Sequence, residues 1–126
     1  MSIQTSSATI SLGADGILRA AIRPNVTHTV NAARENLAAY RALSPRVRRP
    51  LLVDMRDLSA VVDREARLEY AGNELTQAIT AVALIVGSGP SRVIGHFFTA
   101  VTRPAIPLRL FSEEPEALAW LSGHLT

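Results

Sequence analysis

Two stretches of the chain are apolar without interruption, and the spacing of hydrophobic positions changes on either side of them. Leu51, Leu52 and Val53 are the first run, in a strand read as extending to Met55, and Ala81–Val86 (AVALIV) is the second. Runs this short, apolar on both faces, suit parallel strands that are covered on both sides. Ahead of them, residues 8–23 (ATISLGADGILRAAIR) read as a hairpin. Ile10 and Leu12 alternate with Thr9 and Ser11, and Asp15-Gly16 supplies the positive-φ turn that tight hairpins need.

The intervening segments switch to helical spacing. Val30, Ala33, Leu37 and Tyr40 recur at steps of three and four, predicting an amphipathic helix from a Thr27 N-cap to Leu43, before Ser44-Pro45. A second helix is expected from an Asp63 N-cap to about Ala78. A third follows Gly87-Ser88-Gly89-Pro90, with Gly89 as N-cap, and carries Val93, Ile94, Phe97, Phe98 and Val101. Leu108–Phe111 reads as a short strand. Ser112 is the expected cap of a last helix with Glu113, Glu114 and Glu116 at its start, where acids suit the helix dipole. The order β-β-α-β-α-β-α-β-α predicts an α/β fold of one domain over residues 1–126. Its sheet is mixed but mostly parallel, with an N-terminal hairpin, right-handed crossovers and helices packed on it.

Composition narrows the chemistry. The 126 residues, 48% hydrophobic and 19% charged, are enough for a core without staples. Absence of cysteine excludes disulfides, thiolate zinc sites and cysteine nucleophiles. All 13 basic residues are arginine, so there is no P-loop lysine, Schiff base or lysine general base. A net charge of +2 is a weak pointer to nucleic acid, and none is expected as a partner. No apolar run reaches the roughly 18 residues of a membrane helix. The start, MSIQTSSATISLG, lacks a basic segment followed by an apolar one, so the expectation is a cytoplasmic protein.

In element order nearly the whole chain resembles the STAS domain family, the SpoIIAA-like anti-sigma-factor antagonists. The likeness is strongest at LLVDMRDLSAVVDREAR (51–67) and AVALIVG (81–87). It implies a non-catalytic regulatory or protein-interaction module. Members of the family bind a kinase or anti-sigma factor and are switched by phosphorylating a serine directly after an aspartate at the start of the second helix. That aspartate matches Asp63, but Arg64 and then Glu65 follow it, so no hydroxyl stands where the phosphate would go. A more distant relation, to lipid-binding domains with an apolar cleft under a movable helix, supplies the alternative: a carrier of a small apolar ligand or lipid.

Parallel sheets place ligands beyond the carboxyl ends of their strands. The expected partner-binding residues there are Arg56, Asp57, Ser59, Asp63 and Arg64. Ser88, Ser91 and Arg92 form an expected anion site, with the Ser91 and Arg92 amides directed outward at a free helix start. Ile94, Phe97, Phe98 and Val101 are expected to line an apolar cleft or a homodimer face, so the partner is another protein or a second copy. Asp54, Asp57 and Asp63 fail the pattern of a phosphoaspartate receiver, which also needs a lysine. His28, His96 and His124, expected in three different helices, lack metal-ligand spacing. No metal, cofactor or catalytic residue is assigned. Arg41, Arg46, Arg48 and Arg49 read as a solvated basic loop after the first helix.

Overall fold

A computed structural model describes residues 2–57, 62–87, 89–97 and 105–125. The hairpin forms where the turn chemistry puts it. β2 (Ala8–Leu12) and β3 (Leu18–Ile22) pair antiparallel with Leu12 opposite Leu18, and Gly16 takes a φ of 82° in the turn. Ahead of them lies a strand that hydrophobic patterning does not reveal, β1 (Ser2–Gln4), which pairs antiparallel with β2. The remaining strands, β4 (Arg49–Asp54), β5 (Ile79–Ile85) and β6 (Leu108–Phe111), continue the sheet in parallel from β3. Strand order equals chain order, β1 to β6. The two continuous apolar runs are therefore adjacent, parallel and central, as predicted.

A sheet that grows one way through right-handed crossovers lays every crossover helix on the same face. The core has that form. α1 (Val30–Leu43), α2 (Arg64–Tyr70), α3 (Asn73–Ala78) and α4 (Pro90–Phe97) all contribute to one apolar cluster, through Ala33, Leu37, Tyr40, Ala66, Leu75, Ala78 and Ile94. Among the described residues α5 (Glu114–Ser122) is the one helix on the other face, where Ala117 and Leu121 meet Leu52, Ala81, Ala83 and Ile85. β5 divides itself between the two by simple alternation: Leu84 and Val82 point to the first face, Ala83 and Ile85 to the second. α5 lies over β4–β6. On β2 and β3 the second face carries Thr9, Ser11, Arg19 and Ala21, all half-buried or exposed.

Local chemistry corrects several boundaries. α1 is capped by Thr29, whose hydroxyl accepts the Ala32 N–H at 3.2 Å, and not by Thr27. Thr27 is too early because His28 is drawn into an extended bridge with Val62, its carbonyl accepting the Asp63 N–H at 3.0 Å. The single helix expected from Asp63 to Ala78 is two, because Gly72 takes an extended conformation (ψ 178°) at the N-cap of α3. Asp63 does precede α2, but its side chain makes no capping bond. The last helix starts one residue late, with Glu113 and not Ser112 at its N-cap.

Candidate functional site

The carboxyl edge is built where β4 and β5 end. β4 finishes at Asp54, whose carboxylate accepts three bonds from Arg56: from its backbone N–H at 3.2 Å, from Nε at 3.0 Å and from Nη2 at 2.7 Å. The guanidinium beside it holds the Asp54 carboxyl below its usual range. This clamp stiffens the turn directly after the strand and commits Arg56 to Asp54. Arg56 and Asp57 are exposed, Asp63 is half-buried and Arg64 is exposed at the first position of α2, while Ser59 lies outside the described residues. α2 is tied down at its start by the His28–Val62 bridge and by Arg67, whose Nη1 donates to the Val62 carbonyl at 2.7 Å.

The turn into α4 touches this loop. A Cβ on Gly87 would stand 3.0 Å from the Arg56 carbonyl, so the absent side chain lets the two loops meet. Gly89, at a φ of 70°, serves as the N-cap, its carbonyl accepting from Arg92 and Val93 at 3.1 and 3.2 Å. Those bonds correct the expected anion site. The Arg92 amide is spent on Gly89, and Ser91 is fully buried with its hydroxyl accepting the Gly87 N–H at 2.8 Å. Of the described residues of the expected group only Arg92 is exposed, and Ser88 lies outside the described residues.

Beneath α1 and α2 lies a polar cluster that sequence reasoning missed. Asn36 sits on the buried face of α1, wholly inaccessible, and donates through its amide nitrogen to the Ser7 and Tyr70 hydroxyls, each at 2.9 Å. Its Oδ1 accepts from the Thr5 hydroxyl at 2.7 Å. The Tyr70 hydroxyl, accepting from Asn36, is also hydrogen-bonded to His28 Nε2, 2.6 Å away. Burial lowers the His28 pKa and raises that of the Tyr70 hydroxyl, so both groups stay neutral. The network is a lock between the two helices. The one signal in the sequence is an asparagine inside the apolar stripe of α1, between Ala33 and Leu37; its partners lie up to 34 residues away.

The histidines separate accordingly. His28 is buried and precedes α1, His96 is exposed on α4, and His124 follows α5 beside the Trp120 ring, 4.8 Å between centroids. Two of the three are thus outside helices, contrary to expectation. Among the described residues no cluster of potential ligands could hold a metal. Nor, among the described residues, is any helix long and apolar enough to cross a membrane. Of the expected apolar face, Ile94 packs half-buried against the core and Phe97 ends α4, whereas Phe98 and Val101 lie outside the described residues. α4 is pressed onto the sheet at Gly95, where a Cβ would come within 2.7 Å of Val86 and 2.8 Å of Leu110.

Among solved structures the chain is similar to an uncharacterised protein of the DUF3478 family with a SpoIIAA-like fold, from Shewanella loihica PV-4. The two align with a TM-score of 0.61 at 17% identity, over 96% of this chain and 98% of that one. At that identity the likeness is one of fold, and it bears out the SpoIIAA-like architecture expected from the sequence. No curated protein is significantly similar to the chain. A family model described as a domain of unknown function, DUF7793, matches residues 10–125, and the chain belongs to that family.

Proposed function

We propose that the domain is a non-catalytic recognition module that binds another protein through the carboxyl edge of its sheet and the outer faces of α2 and α4. The observation that carries this reading is the exposure of Leu68 (57%) on α2 and Val93 (68%) on α4. Both helices start at the charged edge. Arg64 stands one turn before Leu68, and Arg92 adjoins Val93. An apolar centre with a charged rim is the usual anatomy of a protein contact. Recognition here is constitutive with respect to a serine switch, because Arg64 and Glu65 offer no hydroxyl at the start of α2. The partner is a different protein or a second copy, and the cytoplasm suits either. An apolar-ligand cleft is the weaker reading, since Gly95 leaves no room for even a methyl group between α4 and the sheet.

The test compares Leu68→Glu and Val93→Glu with Leu125→Glu, an exposed leucine beyond α5. Each variant is used as bait in its native host, alongside light scattering for self-association. A partner held by the parent chain and by Leu125→Glu, but released by at least one of the helix variants, supports the module. Equal retention by all three would sink it.

A further inference from the structure

At the opposite, amino edge of the parallel strands, the turn from α1 into β4 and the last turn of α3 enclose a cleft of about 360 Å³. Arg41, Arg46 and Arg48 border it together with Ser44, Val47 and Gln77. The turn is stiff. Buried Ser44 donates its N–H to the Tyr40 carbonyl at 3.1 Å and its hydroxyl to the Val47 carbonyl at 2.7 Å, and accepts from Arg49 Nε at 2.8 Å. Two of the arginines are held in place as well: Arg41 Nη2 donates to Gln77 Oε1 at 3.1 Å, and Arg48 Nη2 to the Ile79 carbonyl at 2.9 Å.

Charge here is segregated. No acid occurs between Glu35 and Asp54. Among the described residues no carboxylate pairs with Arg41 or Arg46. Gln77 is neutral, so it positions Arg41 without cancelling its charge. The acids of the adjoining helices act elsewhere: Glu69 pairs with Arg34 at 2.8 Å, and Glu74 adds to the field at that same arginine.

We propose that this cleft is an anion site, in which Arg41 and Arg46 grip the phosphate group of a small phosphorylated molecule. Guanidinium forks match phosphate oxygens in pairs, which a point charge does not. The volume falls in the range of roughly 300–1,000 Å³ typical of small-molecule pockets. A nucleic-acid track would need a longer basic stripe and rings to stack on. The net charge is only +2, and the nearest aromatic, Tyr40, is buried at 3% exposure. The site stands independently of the recognition surface at the other edge.

Pyrophosphate is the probe, titrated into labelled full-length protein at low ionic strength, with sodium chloride at matched ionic strength as the comparison. Saturable amide shifts confined to residues 41–48 and 77–78 are expected. The Arg41→Gln/Arg46→Gln double variant should bind at least tenfold more weakly with an unchanged thermal melt, while Arg109→Gln binds as the parent does. Non-saturating shifts, shifts that chloride reproduces, or full binding by the double variant would each overturn the site. Tighter binding to anionic phospholipid vesicles or to an oligonucleotide than to pyrophosphate would overturn the small-molecule assignment.

Discussion

The two faces of the sheet are held by different physics. Under α5 the contact is apolar and small-sided: Ala81, Ala83 and Ala117 let the helix approach closely, and Ile85, Leu52 and Leu121 fill what remains. Under α1 and α2 the core is larger but contains Asn36, His28, Ser7 and Thr5 in one hydrogen-bonded chain with Tyr70. Packing on the α5 side is non-directional and scales with buried area. The network on the other side adds little net energy, yet it admits one arrangement, because any displaced partner leaves a buried polar atom unsatisfied. It sets where α2, and with it Leu68 and Arg64, stands relative to α1.

The comparison breaks most visibly in the centre. Ile85→Ala removes a fully buried side chain from the α5 face and should cost about 2–5 kcal/mol in a denaturant melt, through lost burial and the cavity left behind. A loss below about 1 kcal/mol would mean that this face contributes less than its burial implies. Asn36→Leu attacks the other side. It keeps the branched shape but strands the Ser7 hydroxyl and takes one partner each from the Thr5 and Tyr70 hydroxyls, for an expected loss of about 1–3 kcal/mol. Its sharper signature is positional: amide exchange in α2 should quicken more than in α5. Uniform quickening would show that the network stabilises without specifying.

The smallest effect is one of pH. The folded-state pKa of His28 lies below its ordinary 6.5, because burial disfavours the charged ring. The unfolded chain therefore takes up a proton first. The contribution is complete above pH 6.5 and is lost as pH falls from there towards the lower folded value. His28→Gln keeps an acceptor without titrating, and should flatten the dependence of stability on pH in that interval. An unchanged slope would remove His28 as its source.

Much of the architecture was legible because continuous apolar runs and turn chemistry are local signals. Leu51–Val53, Ala81–Ile85 and Asp15-Gly16 each declare their role within a few residues. β1 was not, since Ser2–Gln4 is too short and polar to show a period. Gly72 was a readable break that the helical spacing on either side of it masked. The charged edge was legible as a surface, but Arg56 bonding back to Asp54 and Ser91 turning inward depend on distances that no spacing reveals. The His28–Tyr70 pair needed two residues 42 apart to meet, which only the completed crossover brings about.

Strand order that equals chain order has a consequence for synthesis. Each new strand finds its hydrogen-bonding neighbour already made, so pairing can advance from the hairpin as the chain emerges, and each crossover helix can close over the strand before it. The α5 face cannot follow that schedule. Leu52, Ala81, Ala83 and Ile85 wait uncovered until Glu114–Ser122 has been made, so a nascent or truncated chain presents a nearly finished sheet with one bare apolar side. That is the species in which aggregation should begin, and a chaperone would find its binding surface there.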